Sequence, residues 1–112
     1  MRTEFSPASR EDLRAIGRHL RLSYQQFGQS PEEARSASND RLRRIRRSAD
    51  RIATAPHRGE RHDHLVPGLR HLTLDDAVFY FVASDEAVRI VAIFWSGQDH
   101  HRIIADRIAA LR

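Results

Sequence analysis

Two neighbouring segments, Ala77–Ala83 and Val88–Trp95, carry apolar side chains at odd and even positions alike. A strand that alternates apolar and polar residues has one dry face, whereas a strand apolar on both faces needs a covering layer on each. Any fold open to this sequence must therefore bury these strands between two further layers. A chain of 112 residues supports one hydrophobic core, so both covers are expected within a single domain spanning residues 1–112.

The first cover is legible in the N-terminal half. Ser6-Pro7 pairs a good N-cap with a residue suited to the first helical turn. From there Leu13, Ile16, Leu20, Tyr24 and Phe27 recur at three- and four-residue steps along one helical side, and Gly28 ends the pattern. Ser30-Pro31-Glu32-Glu33 is a stronger start, with serine and the glutamate three residues on placed to satisfy each other's amides. Ser38, Leu42, Ile45, Ala49 and Ile52 continue that helix towards Pro56. Two amphipathic helices joined this closely pack as an antiparallel hairpin. The second cover is the closing segment from His100, with Ile104, Ile108 and Leu111 at helical spacing.

The remaining segments complete the order. Arg2–Phe5 reads as a short N-terminal strand, and the polar stretch 57–68, bracketed by Pro56 and Pro67-Gly68, reads as a loop. Leu69–Leu74 alternates loosely and turns at Asp75-Asp76 into Ala77–Ala83, and Ser84-Asp85-Glu86 leads into Val88–Trp95. The expected architecture is α+β: an N-terminal strand, an α-helical hairpin, a three-stranded antiparallel meander and a C-terminal helix.

Composition narrows the function classes. The longest apolar run, Ile90–Trp95, is far too short to cross a bilayer, and Met1–Phe5 holds no apolar block of signal-peptide length. There is no cysteine, which excludes disulfides, thiolate metal sites and a cysteine nucleophile and agrees with a cytoplasmic location. All 19 basic residues are arginine, whose planar fork suits carboxylate and phosphate. Twelve of them lie in residues 1–56 against seven acids, and seven in residues 57–112 against eight acids. The net charge of +4 admits nucleic acid or an acidic protein as partner and does not choose between them.

Three groups of residues carry a family resemblance. They are Phe5-Ser6-Pro7 with Asp12-Leu13 and Ile16; Pro67-Gly68-Leu69-Arg70 with Leu72; and Val78–Val82 followed by Val91–Trp95 and Gly97-Gln98-Asp99. In this order and at this length the chain resembles the RelE/ParE superfamily, the growth-inhibiting and plasmid-stabilising toxins of type II toxin–antitoxin systems. The resemblance implies a cognate antitoxin, acidic and encoded next to the toxin, that joins it in a hetero-oligomer. It also implies one of two activities. RelE-like members are ribosome-dependent mRNA endoribonucleases, and ParE-like members poison DNA gyrase without a catalytic centre of their own.

RNA cleavage develops negative charge at phosphorus and on the leaving oxygen, so it needs cationic and acid–base groups. The RelE positions that supply them correspond here to Ala77, Gln98 and Ile104, none of which has that chemistry. The long helical hairpin is similar to ParE, so the ParE-like branch, acting by binding, is the favoured expectation. The ParE pattern is itself altered: Asp75-Asp76-Ala77 replaces an arginine-rich stretch and Trp95–Asp99 an arginine-bearing turn, which leaves the target open between gyrase and the ribosome.

Candidate site residues follow from chemistry and are weighed against blander roles. Residues 41–52 hold six arginines and one aspartate, a face that grips an acidic segment or simply faces water, since Asp40 and Asp50 lie within helical reach. Arg43, Arg44, Arg47 and Arg51 are the candidates there for antitoxin or target binding. Arg70, Arg89 and Trp95 are the candidates on the strands. His57, His62, Asp63 and His64 share a loop, but no spacing matches an established zinc motif, so neither metal nor cofactor is expected. No catalytic residues are expected under the binding reading. Under the ribonuclease reading, His100 and His101 serve as acid–base groups beside Arg102 and Arg70, against the plain alternative of two exposed histidines at a helix start. Apolar surface left over on the sheet would be covered by the antitoxin.

Overall fold

A computed structural model describes residues 1–111. The elements are β1 (Arg2–Phe5), α1 (Pro7–Gln26), α2 (Pro31–Thr54), β2 (Glu60–Arg61), β3 (Leu69–Leu74), β4 (Ala77–Ala83), β5 (Ala87–Trp95) and α3 (His100–Ala110). Both helix starts form as their sequences dictate. Ser6 Oγ accepts the amide of Ser9, and Ser30 and Glu33 close a reciprocal capping box. Gly28, at φ +99°, carries the chain out of α1 in a left-handed conformation that other residues rarely adopt.

The strands form one five-stranded sheet in the order β1-β5-β4-β3-β2. The expected meander is its antiparallel centre, β3-β4-β5. Two strands extend it. β1 lies parallel to β5, with Phe5 opposite Ile90, and β2 pairs antiparallel with β3. The presence of β2 corrects the expectation of a plain loop over 57–68. Two residues show no alternation, so nothing in the local pattern marks them as a strand. Between β3 and β4, Asp75 and Asp76 both take positive φ, the mirror-image geometry that suits a two-residue hairpin turn.

Both covers pack against the sheet, although Leu111, expected on the apolar stripe of α3, is 87% exposed just past the end of that helix. The hairpin buries Leu13, Ile16, Ile45, Ala49 and Ile52 against Phe79, Phe81, Val88, Ile90 and Ile93 on one sheet face. On the other face Ile104 of α3 packs with Leu69, Val78, Tyr80, Ala92 and Phe94. β5 serves both layers through its alternating side chains, and its register slips by one residue: Tyr80 faces Ala92 whereas Phe81 faces Ile90, leaving Val91 as a bulge. The far end of the hairpin reaches beyond the core, so Phe27, expected on the apolar stripe, is 90% exposed.

Candidate functional site

The most concentrated chemistry lies on the sheet face under the start of α3. Strand register builds its base. Glu60 on β2 pairs with His71 on β3, which pairs with Tyr80 on β4, which pairs with Ala92 on β5. Residues opposite one another share a face, so this row runs across four strands. His62, just after β2, adds its ring beside His71, and its backbone amide bonds the carbonyl of Leu69. Ala92 is small, and the first turn of α3 brings His100 and His101 to the same row.

The groups are in direct contact. His62 Nε2 and His71 Nδ1 are 2.6 Å apart, and the Tyr80 hydroxyl lies 2.8 Å from His100 Nδ1 and 3.5 Å from His101 Nδ1. Glu60 reaches from the rim to 3.5 Å from His71 Nδ1 and 4.0 Å from His62 Nε2. His62 is buried, His71 and His100 are partly buried, and Glu60 and His101 face solvent. Burial holds the imidazoles of His62, His71 and His100 below their ordinary value, and neighbouring rings add to this by mutual repulsion. Burial likewise pushes the Tyr80 phenol up to about 12. At neutral pH His62, His71 and His100 therefore favour the uncharged imidazole, beside the un-ionised phenol of Tyr80.

The residues singled out from sequence are placed unevenly. His100 and His101 enter the cluster. Arg70 does not: it follows Leu69 and precedes His71, so strand alternation turns it to the opposite face, where it donates to the carbonyl of His57 at 3.0 Å. Arg102 is engaged by Asp99 and Asp106. Arg89 faces Glu4 across the parallel pair at 3.7 Å. Trp95 stacks on His19 with ring centroids 4.1 Å apart, and both line a cleft of about 510 Å³ between the hairpin and the Asp75-Asp76 turn.

On α2 the arginines divide by role. Arg43 pairs with Asp40. Arg51 and Arg41 instead hold the β3–β4 turn: Arg51 lies 3.5 Å from the Asp75 carboxylate, and Arg41 donates to the Asp75 carbonyl and the Asp76 carboxylate. Arg44 and Arg47 are exposed and make no ion pair among the described residues. His71, Tyr80 and Glu60 are the residues that sequence reasoning missed, and His62 is one it weighed as a zinc ligand and set aside. The signal was present for one pair, because a two-residue turn at Asp75-Asp76 sets Leu74 opposite Ala77, and counting outward sets His71 opposite Tyr80.

A second feature of this face is an apolar groove of about 400 Å³ beside α3, lined by Val66, Leu69, Val82, Val91, Ile104 and Ile108 among others. Among the described residues no helix is long and apolar enough to cross a membrane.

No protein-family model matches the chain, and no curated protein matches it in sequence. Among solved structures it is similar to a chain of the chromosomal ParDE TA system from P. aeruginosa, at 24% identity and a TM-score of 0.59, over 85% of this chain and 95% of that one. At this identity the likeness speaks for the fold: the chain shares the RelE/ParE-like α+β architecture of that ParDE-system chain.

Proposed function

We propose that the chain is the toxin of a type II toxin–antitoxin pair, of the ParE-like branch, acting in the cytoplasm by binding a cellular target and silenced by a cognate antitoxin. The observation that carries this reading is the near full-length structural likeness to a ParDE TA-system chain. Two surfaces support it. The apolar groove beside α3 is the kind of exposed patch that a protein partner covers. The unpaired cations Arg44 and Arg47 on α2 offer charge-assisted contacts to an acidic segment. DNA gyrase is the target that the ParE-like resemblance implies.

A second reading, RelE-like mRNA cleavage, draws on the convergence of His71, His100 and His101 on Tyr80. Against it, the arginines that would stabilise a phosphorane-like charge are elsewhere. Arg70 is on the other sheet face and Arg102 is ion-paired.

Induced expression of the chain alone should arrest growth, and co-expression of the neighbouring acidic gene product should restore it. After arrest, gyrase-linked DNA breaks support the leading reading. Codon-specific mRNA cuts that vanish in His100→Ala/His101→Ala would replace it with the second. Unimpaired growth on induction would remove both. Ile108→Asp, in the groove wall, should abolish rescue by the antitoxin while leaving arrest intact.

A further inference from the structure

The Glu60–His62–His71–His100–His101 cluster has a geometry that its hydrogen bonds alone do not require. Two triads, Glu60, His62 and His71, and His71, His100 and His101, each bring one ligand-type atom per residue to within 4.8 Å of the other two in that triad. In the first triad the edges measure 2.6, 3.5 and 4.0 Å. A tetrahedral zinc ion with bonds of 2.0–2.1 Å spaces its ligand atoms about 3.3 Å apart, inside that range. We propose that this cluster binds a single divalent transition-metal ion of the zinc class, with His71 as the ligand common to both triads.

Several features favour an ion over a simple ring stack. The ligands come from three separate places, the β2 end, the middle of β3 and the first turn of α3, so their convergence is a property of the tertiary fold. His71 is fixed on an internal strand, next to the sheet edge, by register with β2 on one side and β4 on the other, which gives the site a defined floor. Tyr80 holds the His100 ring through Nδ1, the kind of outer partner that orients a ligating imidazole. His101 and Glu60 are exposed and give the ion a path from solvent. Imidazole-dominated donors select zinc, copper or nickel over magnesium and calcium. The inference is independent of the toxin reading, because it concerns binding alone.

The test uses the full chain without a polyhistidine tag, stripped with chelator, then titrated with zinc chloride by calorimetry, with magnesium chloride as control. Cobalt(II) substitution adds a spectroscopic readout of tetrahedral coordination. One equivalent of zinc at micromolar or tighter affinity, no magnesium binding and tetrahedral cobalt bands are expected. His71→Gln should weaken zinc at least tenfold, in line with the loss of a ligand or its supporting contact. Should that variant fail to fold, the solvent-facing substitutions Glu60→Gln and His101→Gln provide the same measurement, and at least one should weaken zinc. His57→Gln, outside both triads, should leave it unchanged. No zinc binding at micromolar concentrations, two equivalents of zinc, or wild-type affinity in a folded His71→Gln (or in both rim variants) would overturn the proposal.

Discussion

Arg107 of α3 forks onto Asp12 of α1, with N–O distances of 2.6 and 2.9 Å. The same carboxylate accepts the amide of Ile93, on the stretch of β5 that extends past its β1 partner. Asp12 therefore closes a sheet edge and ties together the two helical layers. Arg107 also lies over the Phe94 ring, 5.0 Å from its centre.

Asp12 is 8% exposed and Arg107 38%, so removing the cation strands a nearly buried carboxylate on a single amide. Arg107→Ala is expected to cost about 2 kcal/mol, discounted from a fully buried pair because the arginine reaches solvent. Denaturant unfolding measures it. Asp12→Asn should cost less in the Arg107→Ala background than alone, and additive effects would show that the two residues are not coupled.

Acid should weaken the clamp between α2 and the β3–β4 turn. The Ser48 hydroxyl donates to the Asp75 carboxylate, and with Arg51, Arg41 and Arg44 nearby it holds that carboxyl below its ordinary value of 3.8. A carboxyl depressed in the folded state contributes stability that is fully present above the unfolded value and is lost as pH falls through the folded one. Stability should therefore decline below about pH 4. Asp75→Asn, which keeps the left-handed backbone accessible, should flatten that decline in a pH series of thermal melts.

The second turn residue offers a gain. Asp76 sits at φ +60°, and its contact with Arg41 is made by an 84% exposed carboxylate. Glycine takes this conformation without steric cost, and the lost surface ion pair is worth little. Asp76→Gly is expected to raise stability by about 0.5 kcal/mol. A lowered unfolding midpoint would show that the Arg41 contact outweighs the backbone term.

Gly59 gives the opposite outcome. Its φ is +97°, and a Cβ there would lie 2.4 Å from the His71 carbonyl oxygen. Gly59→Ala must push β2 away from β3, at a cost of about 2 kcal/mol. Amide exchange of His62, bonded to the Leu69 carbonyl, should accelerate more than that of Phe79 in the core.

The layers were legible in the sequence because each rests on local chemistry: two Ser-Pro caps, helical stripes and a two-residue turn. The histidine site was only half legible. His100 and His101 are adjacent in sequence and invite notice, but their partners arrive through register. His71 reaches Tyr80 across a hairpin, and His62 reaches His71 through a strand of two residues. The division of labour among the α2 arginines was also hidden. Which of them faces Asp75 depends on how the hairpin seats on the sheet, a matter of packing angle that helical spacing does not encode.

Val91 is the one residue by which the paired stretch of β5 exceeds that of β4. Upstream of it, Val88 and Ile90 look towards the helical pair; downstream, Ala92 and Phe94 look towards α3 while Ile93 looks back. β5 thus consists of two half-strands set out of phase, one zipped to β1 and the other latched by Asp12. Exchanging Val91 for another β-branched residue would disturb little. Deleting it would leave plain alternation, with Val88, Ile90 and Ile93 still towards the helical pair and Ala92 and Phe94 still towards α3, so the inserted residue sets the local bend and twist of the strand and not its choice of face.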